Sequence, residues 1–141
     1  WADFSYLYID QECSVLDPGL TVFEQTERFN ASHLAEHELK SILNRCLFPY
    51  ETWDKPCFCL SGGEKIRLLF CCLMIGNNAP DVFILDEPTN NLDIQSVEII
   101  TAAIKSYRGT VLLISHDHYF VKEIKINRSI KLFDTGSVIK I

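Results

Sequence analysis

Two carboxylates stand side by side at the end of an apolar run. Val82-Phe83-Ile84-Leu85 is uninterrupted hydrocarbon, and Asp86, Glu87 and Pro88 follow it directly. A continuous apolar run of this length is the form of a strand buried on both faces of a parallel sheet, and here it would deliver both acids to the sheet edge. One carboxylate can then organise the shell of a divalent cation, and the other can take a proton from an attacking water. On its own, a strand ending in an acidic turn requires no chemistry. Upstream, Leu60-Ser61-Gly62-Gly63-Glu64 opens a second element. A hydroxyl and two bare glycines at a helix N-terminus let backbone approach an anion closely, with the helix dipole favouring the charge. Taken singly, the same residues make an ordinary helix cap. Downstream, Ile114-Ser115-His116-Asp117 sets an imidazole at the end of the next apolar run.

The elements that must hold these groups follow from pattern. Tyr6 to Asp10 predicts a short strand entering a loop at Gln11, and Asp17-Pro18-Gly19 is a turn signature. Two helical stretches follow, the clearer near Ala31 to Leu47, with Leu34, Leu39, Ile42, Leu43 and Cys46 on one face. A loop over Pro49 to Cys59 leads into a helix from Gly62 to Ile75 with Ser61 as N-cap. After the Val82 strand comes a helix from Ile94 to Tyr107, capped by Asp93 and closed by Gly109. Thr110 to Ile114 is the next buried strand, with a short helix after His116. Arg128 to Phe133 and Val138 to Ile141 predict a hairpin turned by Asp134-Thr135-Gly136. Strand–helix–strand alternation behind a mostly helical insert predicts an α/β fold.

Composition bounds the class. The chain has 141 residues, 48% hydrophobic and 23% charged, with 6 Gly and 5 Pro, which is ordinary globular material. Its longest apolar runs fall far short of the roughly 20 residues of a membrane span. No basic-then-apolar leader opens it, and beginning on Trp1 reads as an internal cut. Residues 1–54 carry ten acids and three bases, whereas 121–141 carry two acids and five bases. This excludes a uniformly basic nucleic-acid face. Six cysteines, with Cys71 and Cys72 inside an apolar helical run, read as reduced thiols of a cytoplasmic protein.

Jointly, these motifs resemble the ATP-binding cassette. Leu60 to Glu64 is similar to the family's signature, Phe83 to Glu87 to its Walker B segment, Asn91-Leu92-Asp93 to the D-loop, His116 to the switch histidine and Gln11 to the Q-loop glutamine. Pro88-Thr89-Asn90-Asn91-Leu92-Asp93 and Ser115-His116-Asp117-His118-Tyr119-Phe120 resemble the ABC-F type, soluble twin-cassette ATPases that act on ribosomes. His118 stands where that type usually has Arg. Tyr107-Arg108-Gly109-Thr110 resembles the second cassette of such proteins.

The resemblance implies a P-loop NTPase core with a mostly parallel sheet plus a helical subdomain, and ATP and Mg²⁺ as ligands. It implies Glu87 as general base and His116 as the γ-phosphate contact, with Gln11 and Asp86 toward the metal. Ser61, Gly62, Gly63, Glu64, Asn91 and Asp93 are implied at the nucleotide. In the family, the signature of one cassette meets a nucleotide held by another, so a second cassette of the same parent chain is the implied partner. The ribosome, and transfer RNA near it, are implied further partners. No G-x-x-x-x-G-K-[ST] loop occurs in the sequence. The chain is therefore read as one partial cassette: 1–15 the Q-loop strand and loop, 16–78 the helical subdomain with the signature, and 79–141 the Walker B, D-loop and switch half. The missing phosphate loop predicts that these residues alone are inactive and that they self-associate.

Three other chemistries are set aside. His33-Leu34-Ala35-Glu36-His37 fits H-x-x-E-H, with both imidazoles expected one helical turn apart, but no third zinc ligand is evident. Adjacent Ser115, His116 and Asp117 diverge at a strand end, where a hydrolase triad must converge. Cys71 and Cys72 point to different sides of their helix. Within the cassette reading, a transporter subunit and a non-hydrolysing regulatory cassette remain the alternatives. A transporter cassette more often has Gln at position 64 and Thr-Ser-Ala-Leu-Asp in its D-loop.

Overall fold

In the computed structural model the described residues are 3–10, 12–76, 79–132 and 138–140. Three parallel strands form the main sheet: β1 (Tyr6–Ile9), β2 (Val82–Asp86) and β3 (Thr110–Ile114), in the order β1-β2-β3. Tyr8 stands opposite Ile84, and Ile84 opposite Leu112, so the central strand is the one carrying the paired acids. Both flanking strands run parallel to it, so Asp86, which ends β2, and His116, just beyond β3, lie at one edge of the sheet. Gln11 itself lies outside the described residues.

One face of the sheet is covered. Ile9, Phe83 and Leu85 are buried, and Phe70 and Tyr107 stack on Phe83 with ring centroids 6.4 and 4.3 Å away. Phe70 belongs to α3 (Gly62–Gly76) and Tyr107 ends α4 (Ile94–Ser106), so these two helices form the second layer. Helix α3 is buried almost all round, with Leu68, Leu69, Cys71 and Cys72 fully inside. Beyond it lie α1 (Val22–Phe29) and α2 (Glu36–Arg45). The other face of the sheet is open: Tyr6, Tyr8, Leu112 and Ile114 are 65, 45, 52 and 51% exposed.

Local chemistry sets the boundaries. Thr21 and Glu24 make a reciprocal capping box at α1, with Glu24 N donating to Thr21 Oγ1 at 3.2 Å and Thr21 N to Glu24 Oε2 at 2.8 Å. The helix expected from Ala31 begins only at Glu36. Asn30 holds 30–34 as a loop: its side chain donates to Leu34 O at 2.9 Å and accepts from Leu34 N at 2.8 Å. His33 has φ 52° inside that loop, so His33 and His37 are not partners on a helix. Leu47, at φ 61°, ends α2 in the left-handed conformation usual after helix C-termini. A short helix α5 (His118–Glu123) follows β3, and β4 (Ile130–Leu132) pairs antiparallel with β5 (Val138–Lys140) in a separate sheet. The expected turn over 134–136 lies outside the described residues.

All six cysteines are free thiols, five of them buried and Cys59 exposed. Burial pushes the Cys13 and Cys57 thiols up to about 12 and about 11, so both are inert. No group of three metal-ligating side chains occurs among the described residues, and no helix there is long and apolar enough to cross a membrane.

Candidate functional site

The strand β2 ends as its pattern predicts, and the chain then turns through an unusual conformation. Glu87 has φ 47°, a left-handed state that costs a non-glycine residue of order 1 kcal/mol or more and that clusters at functional sites. Its backbone is fixed there, since Glu87 N donates to Ile114 O at 2.9 Å. The carboxylate reaches the neighbouring strand end, where its Oε1 meets His116 Nδ1 at 2.8 Å. This contact holds the imidazole pKa above its ordinary value of 6.5. Asp86 keeps its extended strand geometry and accepts a hydrogen bond from the Tyr8 hydroxyl at 2.9 Å on Oδ2. That bond pushes the Tyr8 phenol above its ordinary range.

The glycine-containing turn forms a capped helix head. Glu64 N donates to Ser61 Oγ at 3.2 Å, and Ser61 N donates to Glu64 Oε2 at 2.8 Å. Lys55 Nζ sits 3.2 Å from both oxygens of Glu64. The two glycines differ in what surrounds them. A Cβ on Gly62 would meet nothing within 4 Å, whereas one on Gly63 would lie 3.2 Å from Leu92 Cδ2 and 3.6 Å from Ser96 Oγ. Gly62 is thus open to a ligand, and Gly63 is a close contact between the helix head and the loop before α4.

That loop carries Asn91, at φ 58°, and Asp93. Both oxygens of Asp93 are engaged by Ser96, through its amide at 2.8 Å and its hydroxyl at 2.7 Å. These bonds hold the Asp93 carboxyl below the usual range. Asp93 therefore caps α4, as its sequence position predicts. Further along, Thr89 Oγ1 donates to Asp117 Oδ2 at 3.2 Å, tying the acidic turn to the histidine loop.

Ser61, Gly62, Gly63, Asp86, Glu87, Asn91 and Asp93 line one cleft of about 310 Å³. Asp10 and Glu12 also line it. His116 reaches this cleft through Glu87 and stays largely exposed, and Glu64 faces Lys55 and the Ser61 amide. The lining holds five carboxylates and no lysine or arginine. Such a cleft suits a cation, and a naked triphosphate would be repelled from it. Asp86 supplies the hard oxygen that Mg²⁺ prefers, so the donor set fits that ion.

Sequence reasoning missed Tyr8, Lys55 and the Thr89–Asp117 bond. Tyr8 was open to inference, because it shares a sheet face with Asp86 on the adjacent strand. Lys55 has no signal in the sequence: it reaches Glu64 from a loop nine residues away.

A parallel sheet with two acids at the end of its central strand, beside a helical layer that presents a Ser-Gly-Gly head, is the build of an ATP-binding-cassette NTPase core. The chain belongs to this family: the model described as "ABC transporter" matches residues 4–90, more than half of it. It is 43% identical over 128 residues to ABC transporter F family member 5 of Arabidopsis thaliana, covering 90% of this chain and 18% of that protein. Among solved structures, it matches the archaeal ribosome recycling factor aABCE1, solved with a ribosomal stalk protein, with TM-score 0.71 at 23% identity, over 99% of this chain and 28% of that one. The dimeric cassette MJ0796 bound to ADP and phosphate matches with TM-score 0.60 at 21% identity, over 85% of this chain and 56% of that one. The chain thus spans about a fifth of the length of its F-type relative.

Proposed function

We propose that this chain is the signature and Walker B portion of an ABC-F-type ATPase, in which ATP hydrolysis drives closing and reopening of paired cassettes on the ribosome of the cytoplasm. The observation that carries the reading is the Glu87–His116 contact at 2.8 Å, directly after Asp86 at the end of β2. The F-type relative supports the subfamily, and the likeness to a ribosome recycling factor supports the ribosomal part.

In this reading, Glu87 is the general base that takes the proton of the attacking water. Its left-handed backbone aims the carboxylate sideways, out of the path of the Asp86 oxygens. Asp86 would hold Mg²⁺, and the resemblance assigns Gln11 to the same ion. The bound ion supplies charge neutralisation for the β- and γ-phosphate oxygens. His116 gives one nitrogen to Glu87. To donate from the other nitrogen to a γ-phosphate oxygen, it must carry a proton on both, which its raised pKa favours. Ser61, Gly62 and Gly63 face the nucleotide of a partner cassette through the Ser61 hydroxyl and the helix head. Asn91 and Asp93 would shape the cassette contact from the loop that caps α4.

The phosphate-gripping loop is absent from the sequence, so turnover requires residues outside these 141. The test is Glu87→Gln in the full-length protein: ATP binding should persist, turnover should fail, and closed protein should accumulate on ribosomes. Retained turnover removes Glu87 from the role of base, and absence from ribosomes removes the translation reading.

A further inference from the structure

We propose that Lys55 is a positioning residue of the signature, the counter-ion that allows an acidic residue, Glu64, to stand at the head of a helix that receives a phosphate. The inference rests on the proposed role of Ser61, Gly62 and Gly63 toward a partner cassette's nucleotide.

The argument begins with a conflict. A helix N-terminus attracts negative charge, and a carboxylate in its first turn satisfies the same field that an incoming phosphate would use. Glu64 occupies that position and takes the Ser61 amide as a hydrogen-bond donor at 2.8 Å. What remains for a phosphate is the Ser61 hydroxyl and the open approach over Gly62, where a Cβ would meet nothing within 4 Å. An uncompensated Glu64 would repel the anion across this short approach. Lys55 answers the charge, with Nζ 3.2 Å from each carboxylate oxygen. The two side chains are only 34 and 24% exposed, so solvent screens the pair less than a surface pair.

Lys55 is held in place by backbone rather than by chance of rotamer. Its carbonyl accepts from Val22 N at 3.0 Å, its amide donates to Thr52 O at 3.1 Å, and the next residue, Pro56, bridges to Thr21. The strap is therefore fixed to the capped start of α1. Lys65, adjacent to Glu64 in sequence, points elsewhere, 3.8 Å from Glu12. Glu64 thus keeps its capping bonds while Lys55 removes its net charge, and the head of α3 stays attractive to phosphate.

The test is a charge cycle in the full-length protein, reading the ATP concentration for half-maximal cassette closure by fluorescence transfer, with KM for turnover beside it. Lys55→Met should raise both by about fivefold at low salt, and by less at high salt as screening grows. Lys55→Arg should stay within about twofold of the parent. Adding Glu64→Gln to Lys55→Met should restore the midpoint, because the repelling charge is then gone. A Lys55→Met midpoint that does not move, or a loss that Glu64→Gln does not restore, overturns the inference and leaves Lys55 as packing. Ser61→Arg in parallel tests the underlying reading. If that bulk leaves closure and turnover intact, the signature does not meet a nucleotide and both proposals fall.

Discussion

Glu87 Oε1 and His116 Nδ1 lie 2.8 Å apart although the residues follow different strands, β2 and β3. Two things make the contact possible. The parallel register sets Asp86 opposite Ile114, so both chains leave the sheet at the same level. The positive φ of Glu87 then turns its side chain across the gap instead of along the strand. The acid and the imidazole are therefore coupled before any ligand arrives, and a proton on one changes the hydrogen bonding of the other.

This coupling predicts a titration. The bond to Glu87 is the main cause of the raised His116 pKa, so the folded protein holds that proton more tightly than the unfolded chain. The stabilisation is fully present below about pH 6.5, the unfolded value, and is lost as pH rises through the folded value. In NMR titration, His116 should show a midpoint above 6.5, and Glu87→Gln should bring it down. An unchanged midpoint in the variant would mean that the two side chains do not meet in solution.

Much of this arrangement was legible in the sequence because the relevant signals are local. Apolar runs mark β2 and β3, Ser61 and Asp93 read as caps and are caps, and the acids stand at the end of β2. The rest depended on conformations or contacts that composition does not encode. Nothing in Glu87 announces a left-handed backbone, which the bond from Glu87 N to Ile114 O fixes, whereas Asn91 is of a type that adopts it readily. The late start of α2 came from the Asn30 side chain competing with the helix for backbone groups. The Lys55–Glu64 pair depends on a loop being tied to α1, which no periodicity reports.

Replacing the proposed base should separate binding from turnover. Glu87→Gln keeps shape and hydrogen-bonding capacity but loses basicity. In the full-length protein, ATP turnover should fall by well over tenfold, more than about 1.4 kcal/mol of barrier. Retained nucleotide is measured beside it on filters. A variant that keeps a tenth of the parent rate assigns the base elsewhere.

Gly109 is required by space rather than by φ. A Cβ there would stand 2.7 Å from the Asp81 carbonyl oxygen and run into the Tyr107 ring, whose hydroxyl donates to the Pro80 carbonyl. Backbone cannot yield as a flexible side chain can. Gly109→Ala should therefore cost about 1–3 kcal/mol, read as a lower midpoint in denaturant with an unchanged slope. A stability within about 0.5 kcal/mol of the parent, the range of neutral surface changes, would show that the β3 entry relaxes freely.

The 141 residues alone should bind Mg·ATP poorly. Their cleft has five carboxylates and no basic side chain to meet a triphosphate, and the sequence has no phosphate loop to enclose one. Calorimetric titration should show affinity weaker than micromolar. A Kd near 1 μM, about −8 kcal/mol, would demand a phosphate site in this chain that its residues do not suggest.

The last prediction concerns the edge of the sheet. Thr110 N bonds Asp81 O, and Ile114 O accepts from Glu87 N, so even-numbered residues of β3 face β2. By the alternation of a parallel ladder, the amides and carbonyls of Val111 and Leu113 point outward, where no further strand pairs with β3 among the described residues. Among the described residues, β4 and β5 form a sheet separate from β3. Beside it, Leu112 and Ile114 are half exposed on the open face. An unpaired edge next to exposed hydrocarbon is a template for another chain, so the 141 residues by themselves should self-associate. Light scattering at about 100 μM should give a mass above 16.2 kDa, a concentration at which even an affinity of roughly −6 kcal/mol populates dimers. Leu112→Lys with Ile114→Lys should shift the equilibrium toward monomer, because two like charges per chain would face each other across the new contact. A monodisperse monomer with cooperative unfolding would mean that this edge is satisfied within the chain.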